Sequence, residues 1–151
     1  MGAIKRTSAD IWFSKCVRER TNWTCERCSK QFHPGATGGL DCSHFIGRAH
    51  HSIRHHPQNA FAHCMGCHKH MGSCPPDMMD AYLETFGQDA YDNIQRLRND
   101  VVIGKAVRRD QKASRSKIAA HYRREHEKME EQRHAGVMGR IEFNWFNPVD
   151  I

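Results

Sequence analysis

A chain of 151 residues suits one domain of ordinary size, yet with 38% hydrophobic residues and a mean hydropathy of −0.77 much of it is too polar to join a sizeable core. Lys and Arg outnumber Asp and Glu by 23 to 17, giving a formal charge of +6 and a pI near 9.1, which favours an anionic partner, nucleic acid before a membrane surface. No run approaches the roughly 18 apolar residues of a spanning helix, and the start MGAIKRTSAD lacks the apolar core of a secretory signal, so a soluble intracellular protein is expected.

Ser8 or Asp10 can cap a first helix running to about Arg20. Ile11, Trp12, Lys15, Cys16 and Glu19 fall along one stripe, with Arg18 and Arg20 facing elsewhere; that mixed stripe predicts a helix lying on the head of the protein rather than through it. The stretch TNWTCERCSKQF, ending at Phe32, reads as a short hairpin around a metal knuckle, and HPGATGG as a loop. Leu40 to Ile46 (LDCSHFI) reads as a short strand, followed by the polar, histidine-rich loop RAHHSIRHHPQ. Asn59 then opens NAFAHCMGCHKHMG, a second short strand or turn leading into a helix. Cys74-Pro75-Pro76 breaks the chain, Asp77 caps a helix that stops at Gly87, and Ala90, Ile94 and Leu97 mark a further helix from Asp89 to Asn99.

Beyond Val101 the composition shifts. Residues 105 to 134 are dense in charge and in helix formers, with Val107, Ile118, Tyr122 and Met129 as a thin apolar seam. The tail after Gly136 carries Phe143, Trp145 and Phe146 and is too apolar to float freely, so it is expected to dock on the protein or a partner. Two parts follow: a zinc-stabilised domain with its N-terminal helix over residues 1–100, and a basic helical extension with an aromatic tail over 101–151.

The zinc expectation rests on two CxxC pairs, Cys25/Cys28 and Cys64/Cys67. Together they supply four thiolates to one tetrahedral Zn²⁺, each pair in a turn whose amides support the sulfurs, and the ion replaces core that a small fold lacks. Neither pair follows a strand in a βαβ pattern, which argues against a redox role. Cys16, Cys42 and Cys74 lie outside the tetrad and read as buried or partly buried free thiols.

Between and just after the pairs stand Asp41, His44, Asn59 and His68, the makeup of a metal-dependent nuclease centre. Phosphodiester hydrolysis needs a base, a cation to hold the phosphorane's charge and a group that orients the base. His44, at a strand end, suits the first task because imidazole titrates near neutrality. Asp41 lies three positions earlier and so on the opposite side of the strand, as a metal ligand beside a base; His68 can complete the metal pair. Asn59 can bond a backbone carbonyl or His44 and fix the loop between strand and helix.

At LDCSHFIGR and PQNAFAHCMGCHKHMG the chain resembles the HNH, or ββα-metal, endonucleases, in which a base histidine, a central asparagine and a late histidine or asparagine follow in that order. From SADIWFSKCVRERTNWTCERC through GSCPPDMMDAYLETFGQDAYDNIQRL it is similar to the phage NinG (Rap) recombination endonucleases. The resemblance covers about residues 8 to 125 and is most specific over 25 to 72. It implies a small α+β fold: a zinc-stabilised, treble-clef-like ββα-metal core with flanking helices and a long charged C-terminal helix. It implies His44 as general base, Asn59 as the central asparagine and His68 as the last motif member; Asp41 with His68 is read as the pair that holds Mg²⁺ or Mn²⁺. Two positions depart from the pattern: Ser43 stands where many such enzymes carry an acid, and His70 offers an alternative to His68.

The implied activity is DNA cleavage, including branched recombination intermediates, in the cytoplasm of a bacterial host if the gene belongs to a phage. Arg48 and Arg54 in the histidine-rich loop, and Arg108, Arg109, Lys112, Arg115 and Lys117 on the charged helix, are candidate DNA contacts. A homodimer or a recombination-protein partner stays open, since a two-fold enzyme suits junction cutting but no heptad seam predicts a dimer. A non-catalytic zinc module that binds DNA is the alternative.

Overall fold

Thr7, rather than Ser8 or Asp10, caps the first helix, α1 (Ser8–Arg20). Its hydroxyl accepts from the Asp10 amide at 3.3 Å while the Asp10 carboxylate accepts from the Thr7 amide at 2.7 Å, a reciprocal capping box. The computed structural model describes residues 4–103, 105 and 111–147. Within it the elements after α1 are β1 (Leu40–His44), a 3-10 turn at Pro57–Asn59, β2 (Ala60–Cys64), α2 (Met65–Ser73), α3 (Pro75–Thr85), α4 (Gln88–Arg98) and α5 (Gln111–His134). The fold is thus small and mixed, helices around one antiparallel two-stranded sheet that runs in register from Leu40 opposite Cys64 to His44 opposite Ala60. Pro75 occupies the first turn of α3, where its missing N–H costs nothing, so that helix starts two residues before Asp77.

The sheet separates two cores because successive side chains point to opposite faces. Ala60 and Ala62 pack with Leu40, with Phe13, Cys16 and Val17 of α1, and with Ile118, Tyr122 and Met129 of α5. Phe61 packs the other way, with Ile53, Met71, Met78, Tyr82, Ile94 and Leu97. Helix α1 therefore runs through the molecule. The stripe expected to face inward is wrong in part: Ile11 is 41% exposed, whereas Phe13, Val17 and Arg20 are buried, because α1 is covered by α5 on one side and by both strands on another.

Arg20 shows how far in the helix lies. Its guanidinium is fully buried and donates to the carbonyls of Pro57 at 2.7 Å and Ala60 at 2.5 Å, holding the start of β2 against the end of α1. After it the chain turns sharply, with Asn22 and Trp23 both left-handed (φ 53° and 59°). For a bulky residue that conformation is strained. Trp23 is held there by its amide bond to the Arg18 carbonyl at 2.9 Å and its indole N–H to Glu19 at 2.7 Å, and the turn delivers Cys25 to the sheet.

The C-terminal part shares the first core rather than forming its own. Tyr122 of α5 donates its hydroxyl to the His55 carbonyl, and Arg133 pairs with Glu19 at 3.1 Å. The aromatic tail docks on the protein: Ile141 and Phe143 are buried, the Ile141 amide bonds the Arg20 carbonyl at 3.0 Å, and Trp145 lies 4.6 Å from the His56 ring. Val107 of the expected seam is outside the described residues. Among the described residues no helix is long and apolar enough to cross a membrane.

Candidate functional site

The four cysteines of the two CxxC pairs meet. Cys25 and Cys28 lie in a turn closed by the Ser29 amide on the Cys25 carbonyl at 3.0 Å, with Ser29 left-handed at φ 63°. Cys64 ends β2 and caps α2, its sulfur accepting from the Cys67 amide at 3.5 Å. Glu26 ties the turn to the strand in both directions, its amide donating to the Ala62 carbonyl at 2.8 Å and its carboxylate accepting from the Ala62 amide at 2.7 Å. The four Sγ atoms all lie within 4.8 Å of one another. Cys28 and Cys64 sulfurs are 3.7 Å apart, too far for a disulfide. A tetrahedron with Zn–S bonds of about 2.3 Å has edges of about 3.8 Å, so the donor set and spacing fit a structural zinc ion.

Beside this centre, Asp41, His44 and His68 line one cleft of about 450 Å³, together with Arg6, Asp10, Ser14, Arg18, Cys42, Gly47 and Arg48. Asp41 and His44 alternate across β1, but among the described residues β1 pairs only with β2, so its outer edge has no neighbouring strand there and residues of both faces can reach around it. Helix α2, packed on both strands, brings His68 Nδ1 to 3.0 Å from Asp41 Oδ2. Both side chains are about two-fifths exposed, at 43% and 38%, so a carboxylate and an imidazole stand together open to solvent. One oxygen donor and one nitrogen donor side by side could hold a divalent ion whose other positions go to water or an external ligand.

His44 is held differently. Its Nε2 is 2.9 Å from the Arg54 carbonyl. A carbonyl only accepts, so Nε2 carries the proton and Nδ1 keeps the lone pair. Burial pushes the His44 pKa down to about 4, and the Arg54 carbonyl offsets only part of that, so the ring is neutral at ordinary pH.

Asn59 does not bond His44. Fully buried, it accepts from the Ile46 amide at 2.8 Å and donates to the carbonyls of Ile46 at 2.9 Å and Ile53 at 3.1 Å. It closes the loop that carries Arg54, and its backbone carbonyl accepts from the Phe45 amide at 2.9 Å, next to His44.

Several expected DNA contacts sit elsewhere. Arg54 is buried, pairing with Asp10 at 2.5 and 2.9 Å, so its charge is spent inside the protein rather than offered to a phosphate. Ser52 to Pro57 are buried with it, so the second half of the histidine-rich loop is interior where a polar surface loop was expected, while Arg48 to His51 are partly or fully exposed. His70 faces α3 and bonds Asp77 at 2.7 Å, away from the Asp41 pair. Arg48 lines the cleft, and Arg115 and Lys117 are exposed on α5. Arg108 and Arg109 lie outside the described residues, as does the side chain of Lys112.

The cleft also recruits cations that the sequence reading passed over. Asp10, Ser14 and Arg18 recur every four residues along α1, and that spacing could have shown one helix face turned to the site. Arg6, just upstream, reaches Ser14 at 3.1 Å. An adjoining cleft of about 660 Å³ shares Arg6, Arg18 and Asp41 and adds Trp12, Lys15 and the loop from Pro34 to Gly38. Comparison of the chain with family profiles, with curated proteins and with solved structures finds no match in any of the three.

Proposed function

We propose that this protein is a divalent-metal-dependent DNA endonuclease of the HNH, or ββα-metal, type, with a treble-clef-like structural zinc centre and a function akin to that of phage recombination nucleases. The observation that carries this reading is the convergence of Asp41, His44 and His68 on one cleft edged by Arg6, Arg18 and Arg48. Mg²⁺ or Mn²⁺, held by Asp41 and His68, would offset the charge that gathers on the phosphate in the transition state.

His44 is the general base through Nδ1. Its other nitrogen is committed to the Arg54 carbonyl, and its low pKa keeps the accepting lone pair available at neutral pH. Asp10 contributes indirectly: by pairing with Arg54 it fixes the backbone whose carbonyl selects the His44 tautomer. Asn59 is a positioning residue for the same loop. Arg6, Arg18 and Arg48 stand where they could hold flanking phosphates.

The test is incubation of purified protein with labelled linear, flapped and four-way DNA in Mg²⁺, Mn²⁺ or EDTA. Cleavage is expected with either metal, strongest on branched DNA and absent in EDTA. DNA binding without cleavage under any metal would overturn the enzyme and leave a zinc-containing DNA-binding or recombination-accessory module.

A further inference from the structure

Helices α2 and α3 are joined by Cys74 alone, and three donor groups crowd that junction. His70 sits in the last turn of α2, Cys74 is the linking residue and Asp77 lies in the first turn of α3. One imidazole nitrogen, one sulfur and one carboxylate oxygen lie within 4.8 Å of one another, as in the Cys25/Cys28/Cys64/Cys67 centre. Among the described residues these two are the groups of three or more such side chains drawn this close. His70 Nε2 is 2.7 Å from Asp77 Oδ2. Cys74 occupies the N-cap of α3 but its side chain makes no capping bond, so the sulfur is not spent on the helix. Pro75 and Pro76 stiffen the turn that keeps Cys74 near Asp77. His70 and Asp77 are 40% and 47% exposed, which leaves an ion a way in.

We propose that His70, Cys74 and Asp77 form a second metal site, for a borderline-soft divalent ion such as Zn²⁺. The sulfur donor, beside one nitrogen and one oxygen, selects a transition-type ion over Mg²⁺, a hard ion that binds thiolate poorly. A thiolate, a carboxylate and a neutral imidazole carry two negative charges, matching the ion. Binding releases the thiol proton of Cys74 to solvent as Asp77 and His70 exchange their mutual bond for the metal. Three protein ligands leave the fourth tetrahedral position to water or an external ligand. His70 stands two residues from His68 and so on the other side of α2, which separates this site from the Asp41 cleft. An ion there would tie the last turn of α2 to the first turn of α3, bracing the helix that carries Cys67 and His68.

The test is titration with Co²⁺ of the full chain carrying one equivalent of zinc, which the four-thiolate centre takes first, followed by absorption, in wild type, Cys74→Ser, Asp77→Asn and His70→Ala. The quantity read is the wild-type spectrum minus that of Cys74→Ser, so that any cobalt entering the four-cysteine centre cancels. One equivalent of Co²⁺ is expected to give a thiolate-to-cobalt charge-transfer band with tetrahedral visible bands in that difference, competed away by Zn²⁺. Asp77→Asn and His70→Ala should raise the Kd for Co²⁺ by roughly 100-fold or more. A null difference spectrum, or Co²⁺ binding unaltered in both Asp77→Asn and His70→Ala, would overturn the site. Because these side chains are half-exposed, circular dichroism and one retained zinc per variant verify folding, and failure of one variant leaves the other two to decide.

Discussion

Asp10 is the residue on which the interior polar network turns. It closes the cap of α1 and receives Arg54 and His55, at 2.5 and 2.8 Å, with only 6% of it exposed. Burial alone would raise its pKa, but hydrogen bonds from His55, Arg54 and Thr7 outweigh that and hold the carboxyl well below the usual carboxylate range. Removing one partner strands a buried guanidinium, so Asp10→Ala should cost about 3–5 kcal/mol in urea denaturation. A loss under about 1 kcal/mol, the value of an exposed pair, would show that the network is solvated. Little of this was legible in the sequence, where Asp10 reads as a helix cap and Arg54 as a phosphate contact: a long-range ion pair leaves no local pattern, and the two residues stand 44 positions apart. The meeting of Asp41, His44 and His68 in one cleft was legible because a strand and a helix joined to it at the four-cysteine cluster fix their order and spacing.

At the scale of elements, α5 explains why residues rich in charge still form a core. Its seam of Ile118, Tyr122 and Met129 was visible in the sequence at helical spacing. Its partner face on α1 was not, because that helix is covered on two sides and its inward residues do not form one stripe. Tyr122 is the joint: fully buried, it packs edge-on against Phe13 at 5.2 Å and Phe143 at 5.9 Å, donates to the His55 carbonyl and accepts from the Phe146 amide at 3.2 Å. Tyr122→Ala should therefore cost about 3–5 kcal/mol. The loosening should also appear as faster amide exchange in the tail and in the histidine-rich loop. Exchange confined to α5 would contradict the shared core. The same packing turns Arg115 and Lys117 outward, so the basic character of this helix survives on its exposed side while its middle serves stability.

For the whole molecule, the buried histidines make stability depend on pH. Burial depresses His44, His56 and His63 to about 4, against 6.5 for a free imidazole. Below pH 6.5 the unfolded chain takes up protons that the folded chain refuses, so stability is lost as pH falls from there to about 4 and is fully present above. Each such histidine contributes at most about 1.4 kcal/mol per pH unit in that window. Urea midpoints should fall steeply across it, and a flat profile would contradict the burial of these rings. Under the proposed function, the formal charge of +6 acts on the same scale and would draw a polyanion toward the protein. The central claim is that His44 takes the proton from water beside a metal held by Asp41 and His68. Its most direct measurement is the single-turnover rate of DNA cleavage in Mg²⁺ or Mn²⁺ by wild type and His44→Ala, both at saturating protein. The account predicts a loss of about 10²- to 10⁴-fold with DNA affinity and zinc content unchanged; cleavage at the wild-type rate by His44→Ala would contradict it.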